Sequence, residues 1–105
     1  MIRIPQTTTA LGANGVFTGA EIKVSSDASA TQLDVSFYAD QASATNGAVI
    51  EGSNDGTTWY PLAQGSLVAA TPLQLTAPLT YPYLRVVLTN GATAQGTLAI
   101  AAAIQ

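Results

Sequence analysis

Apolar and polar side chains alternate with a period of two through most of this chain, the pattern of strands covered on one face and wet on the other. From Val16 to Val24 the positions Val16, Thr18, Ala20, Ile22 and Val24 form one face, with Glu21 and Lys23 on the other. Leu33, Val35 and Phe37 alternate with Asp34, Ser36 and Tyr38, and Leu84, Val86 and Leu88 alternate with Tyr83, Arg85 and Val87. Leu73 and Leu75 alternate with Gln74 and Thr76. Ala48-Val49-Ile50 leads into a turn that Thr57–Leu62 leaves, and Leu98, Ile100, Ala102 and Ile104 close the series. With a short strand at Ile2–Ile4, the pattern predicts about eight strands.

The punctuation agrees. Asn14-Gly15, Asn46-Gly47, Asp55-Gly56 and Asn90-Gly91 are dipeptides that tolerate positive φ in tight turns. Pro5, Pro61, Pro72, Pro78 and Pro82 fall at strand ends or between strands, where a missing N–H costs least. Short strands at even spacing predict an all-β fold, a single antiparallel β-sandwich of jelly-roll type. Gly96–Gln105 is alanine-rich and therefore a possible helix. Its large residues alternate strictly and no capping box precedes them, so a strand is expected.

The sequence divides into an N-terminal strand and arm over residues 1–14 and a sandwich domain over residues 15–105. Gln6–Asn14 reads as an arm or a long loop, and Asp40–Gly47 as a loop. Within the arm, Gln6, Thr7, Thr8, Thr9, Ala10 and Leu11 are the expected contacts to a neighbouring molecule. The inward positions predict a core of Trp59, Phe37, Leu33, Val35, Ile22, Val24, Leu84, Val86, Leu88, Leu98 and Ile100.

Composition narrows the chemistry. Only 9% of the 105 residues are charged, and three bases against six acids leave a net charge of −3. Nucleic-acid binding needs a basic patch, so no nucleic-acid partner is expected. Histidine and cysteine are absent, which removes the usual nucleophile–base pairs, the usual zinc ligands and any disulfide framework. The longest apolar stretch is far shorter than the ~20 residues of a membrane span, and no signal-peptide stretch is evident. Neither membrane nor export targeting is expected, and synthesis in the cytoplasm is.

The remaining candidates are carboxylates and aromatics. Asp34 and Glu51 take outward strand positions, while Asp27, Asp40 and Asp55 fall in turns. None is placed as the facing pair that glycoside hydrolysis uses, so no catalytic residue is expected. Asn54, Asp55 and Gly56 lack the spaced acids of a calcium loop and read as a structural turn. No metal or cofactor is expected. Trp59, Tyr38, Tyr60, Tyr81 and Tyr83 suit half-buried sheet packing better than sugar stacking. The 19 alanines and 14 threonines give a surface that suits packed neighbours, and a GC-rich coding bias produces the same composition.

Ile50-Glu51-Gly52-Ser53-Asn54-Asp55-Gly56-Thr57-Thr58-Trp59 resembles the hairpin of discoidin-type jelly-roll domains, and Tyr83-Leu84-Arg85-Val86 is similar to their Tyr-x-Arg-Val strand. In that setting Arg85 would point out of the core toward Glu51 or Asp34. Taken with the small size and the Ala/Thr-rich composition, the chain also resembles the small structural proteins of tailed-bacteriophage virions. That resemblance implies a non-enzymatic head decoration or cement protein, located in the virion and bound to the major capsid protein or another virion protein. It also implies a homo-oligomer, with a trimer favoured. The alternative is a carbohydrate-binding, lectin-like module of a phage adhesin or secreted protein.

Overall fold

Alternation becomes architecture in the computed structural model, which describes residues 2–24 and 31–105. Among the described residues nine strands form: β1 (Ile2–Thr7), β2 (Val16–Thr18), β3 (Ile22–Lys23), β4 (Gln32–Ala39), β5 (Ser43–Ser53), β6 (Tyr60–Gly65), β7 (Leu73–Pro78), β8 (Tyr83–Asn90) and β9 (Leu98–Ile104). One sheet has the order β1-β9-β4-β7 and the other β2-β8-β5-β6, with β3 also on β8. All pairings are antiparallel. Among the described strands, β2 and β3 follow one another along β8, and β5 and β6 pair directly; every other connection crosses between sheets. With β2 and β3 taken as one interrupted strand, this is jelly-roll winding of eight strands.

The interruption corrects the expected alternation of Val16–Val24. Phe17 pairs with Leu88 and Ile22 with Leu84, so this strand advances five positions while β8 advances four. One extra residue flips the facing side chains. Phe17 therefore packs against the core, and Val16 stands out, 56% exposed. The loop expected over Asp40–Gly47 also shortens. β5 already starts at Ser43, which pairs with Asn90 ahead of an irregularity that ends at Ala48. Asn46 adopts a positive φ of 53° within it.

Between the sheets lie Leu33, Val35 and Phe37 of β4, Leu98 and Ile100 of β9, Leu84, Val86 and Leu88 of β8, and Ile22. Ile50, Leu67 and four alanines (Ala39, Ala48, Ala77 and Ala102) complete this core. Val24 lies past the end of β3 and is only partly buried against the core. Trp59 is not part of the core. β6 opposes Glu51 with Pro61, so Trp59, two residues earlier, falls on the outer side of the sheet with Glu51 and Arg85. Ile50, its expected neighbour, points to the opposite side and is fully buried.

The alanine-rich C-terminal segment is the strand β9, held on both sides by β1 and β4. The three prolines found within strands, Pro5, Pro61 and Pro78, all sit on edge strands. β1 is irregular between Pro5 and Thr7, and the β5–β6 pairing shifts beside Pro61. Proline and bulges blunt an edge against pairing with a foreign strand.

Candidate contact surfaces

Three surfaces carry the residues singled out by the sequence. The first is the β5–β6 hairpin. Gly56 adopts φ +78°, a conformation glycine takes without the clash a Cβ would bring. Asp55 Oδ1 accepts the Thr57 and Thr58 N–H groups at 2.8 and 2.9 Å, and Ser53 Oγ accepts that of Gly56 at 2.9 Å. The Thr58 amide, then that of Thr57 and the Ser53 hydroxyl, hold the Asp55 carboxyl below its usual range. This turn is closed by Asp55 and Ser53, while Asn54 is exposed.

The aromatics around the hairpin are engaged with one another and with charge. The Arg85 guanidinium lies 4.3 Å from the centre of the Trp59 ring, and its Nε donates to Glu51 Oε1 at 2.6 Å. Tyr81 packs on Gly52, where a Cβ would come within 2.8 Å of its ring. Tyr60 meets Tyr81 at 6.4 Å between ring centres. One face of Trp59 is thus covered by a paired cation, while Tyr60 stays 48% exposed.

The second surface is the end of the sandwich formed by residues 8–15, 40–47, 66–72 and 91–97. Here the expected arm is tied to its own domain. Leu11 N–H donates to Gln95 Oε1 at 2.9 Å, and Gln95 N–H returns to Leu11 O at 2.9 Å. The buried Asn90 amide reaches the carbonyls of Gly12 and Thr93, both at 2.9 Å. Asn90-Gly91 is therefore a latch for the neighbouring loop; Asn14, at φ 58°, supplies the positive-φ turn there. Of the expected arm residues, Gln6 and Thr7 belong to β1, Leu11 is half-buried, and Thr8, Thr9 and Ala10 are exposed.

Among the described residues, this end holds a single charge, Asp40. Its carboxylate accepts the N–H groups of Gly96 and Thr97 at 3.0 and 3.1 Å. The Thr97 amide, helped by Gly96, outweighs desolvation and holds that carboxyl below its usual range. What faces outward is small and neutral: Ala13, Ala42, Ala69, Ala92, Ala94 and the 63%-exposed Val68.

The third surface is the outer face of the β1-β9-β4-β7 sheet. β9 directs Leu98, Ile100 and Ala102 inward, so its outward row is Ala99, Ala101 and Ala103. Strands on either side lie about 4.8 Å away, and their longer side chains form walls above the alanine floor. The result is a groove of about 610 Å³, walled by Arg3, Pro5 and Thr8 on one side and by Ser36, Tyr38 and Pro72 on the other. A smaller hollow of about 240 Å³ continues it past Ala103 to Asp34. There the Asp34 carboxylate is occupied by the Thr76 hydroxyl at 2.7 Å and by the side-chain amides of Gln105 and Gln32. Thr76, then Gln105 and Gln32, hold its carboxyl below the usual range against the cost of burial.

Asp34, Glu51, Asp40 and Asp55 thus each serve a local hydrogen-bond set, and Asp27 lies outside the described residues. The groove went unseen in the sequence reading. The signal for it is the run of alternate alanines in β9 beside larger outward residues on β1 and β4, which becomes visible only once the pairing of β9 is known.

The chain superposes on the crystal structure of the PBSX exported protein XepA with a TM-score of 0.87 at 18% identity. The match covers 98% of this chain and 36% of that one, so this chain spans little more than a third of that protein's length. At such an identity the likeness establishes the fold. No protein of curated function matches the sequence. Residues 2–105 match the family model described as the N-terminal domain of the uncharacterised protein YqxG, and the chain belongs to that family.

Proposed function

We propose that this chain is a non-enzymatic structural module of a phage-related particle or exported assembly, most specifically a capsid decoration or cement protein, and that it attaches through its neutral loop end. The observation that supports this reading is the loop end itself. Four loops are cross-linked by hydrogen bonds into a rigid surface of Ala, Thr and Val. Such side chains lose little rotamer entropy on contact, and few charges must be stripped of water. The structural neighbour, an exported protein of PBSX, is compatible with that setting. A ligand that binds only the assembled shell stabilises it by mass action, about 2.7 kcal/mol per site at a hundredfold excess over Kd.

Proline and irregular pairing interrupt the edge strands β1 and β6, and the edge strand β2 is only three residues long, which favours association through the loop end. The carbohydrate-binding alternative is less favoured at the hairpin because Arg85 occupies one face of Trp59. The test is co-banding of tagged protein with particles in a density gradient, comparing wild type with the Val68→Lys/Ala92→Lys double variant. Wild type should band with particles and the variant, with an unchanged melting temperature, should stay at the top. Equal recovery of both with particles, or of neither, would overturn attachment through this end.

A further inference from the structure

The groove over β9 is chemically unlike the loop end, and we propose that it is a binding site for an anionic saccharide, a sugar bearing a carboxylate. This goes beyond the structural role and does not depend on it. Arg3 is the one charged residue lining the larger groove, and it makes no ion pair among the described residues. Arg3 is thus locally complementary to a carboxylate on the occupant, because the Asp34 carboxylate across Ala103 in the adjoining hollow is already occupied by Thr76, Gln105 and Gln32. The volume, about 610 Å³, lies within the range of small-ligand sites, which combine a largely apolar lining with a few placed polar groups.

The occupant is chosen by the kind of hydrogen bond on offer. β9 is paired on both sides, by β1 and β4, so the floor offers no backbone partners to a peptide laid across it. A peptide there would bury its own amides without partners, at a cost. The walls instead offer hydroxyls, from Thr8 and Tyr38 and, beside the bonds they make to the Thr9 N–H and the Ala101 carbonyl, from Thr7 and Ser36. Sugar hydroxyls match that set. The alanine floor and the Tyr38 ring suit the apolar C–H face of a sugar ring. Arg3 then holds the carboxylate at one wall while Tyr38 bounds the other.

The experiment is titration of trigalacturonate into ¹⁵N-labelled protein, with its methyl ester and the peptide acetyl-Glu-Ala-Glu-amide as comparisons. Trigalacturonate should shift the amides of Ala99 and Ala101. Its methyl ester should bind at least about tenfold more weakly, as should trigalacturonate to Arg3→Gln, the loss expected of one hydrogen-bonded charge. Tyr38→Ala should also weaken binding, with melting temperatures confirming that both variants fold. No shifts at millimolar sugar would overturn the proposal. So would binding indifferent to Arg3→Gln, or tighter binding of the acidic peptide in the same groove.

Discussion

At the scale of single residues, the inward-facing side chains and the three low-pKa aspartates carry most of the consequences. Phe37 is the largest of the fully buried side chains. Phe37→Ala should cost about 3–5 kcal/mol, read as a lowered urea midpoint; a loss below about 1 kcal/mol would show that the β4 register is wrong. Asp34, Asp40 and Asp55 all have carboxyls held below their usual range by donated hydrogen bonds. Their ionised forms are therefore favoured by folding. The stability they contribute is present above an unfolded-state pKa of about 3.9 and is lost as the pH falls through it toward the folded values. The urea midpoint should drop between about pH 5 and pH 3, and the drop should be shallower in Asp40→Asn/Asp55→Asn. An identical slope in the double variant would remove the aspartates as its cause.

At the scale of elements, the β5–β6 hairpin is, among the described strands, the one turn that closes two paired neighbours of the same sheet. A Cβ at Gly56 would meet the Glu21 carboxylate at 2.8 Å, in addition to its unfavourable φ of +78°. Gly56→Val should destabilise by about 1–3 kcal/mol, the range for a side chain forced into such a conformation; a neutral effect would mean the turn relaxes freely. On the outer face beside it, Arg85→Ala should uncover Trp59. Its fluorescence should move to longer wavelength, with a stability loss of about 1 kcal/mol from the lost cation–π and ion-pair contacts. Unchanged emission would place the Trp59 environment elsewhere than under Arg85.

At the scale of the molecule, charge is distributed unevenly, with Asp40 alone among the described residues of the loop end, and that predicts how copies associate. The loop end, whose single charge among the described residues is Asp40, held by backbone N–H groups, suits contact with a like surface, and closed cyclic symmetry is the usual outcome. Light scattering at micromolar concentration should show a homo-oligomer, a trimer favoured, in both low salt and about 1 M salt, where charge-driven contacts are screened. A monomer in both conditions would remove self-assembly while leaving attachment to a particle intact. Dissociation by salt alone would point to Arg3 and the acidic residues as the contacts.

Local alternation alone was enough to place β4, β8 and β9 and to choose nine of their and β3's inward residues, because a sandwich interior admits one face of each strand and period two is written in the residue order. The turn at Asp55-Gly56 was equally legible, since its backbone demand and its caps lie within six residues of one another. Pairing decided the rest. A single extra residue opposite β8 exchanged Phe17 for Val16, and the register of β6 carried Trp59 to the outer face with Arg85. The expected arm became a bound loop because Asn90 and Gln95, some 80 residues away, supply its partners. The alanine groove exists only because β1 and β4, from distant parts of the chain, flank β9. Side-chain periodicity is a local property; a surface is made by the strands that meet there, and those meetings are tertiary.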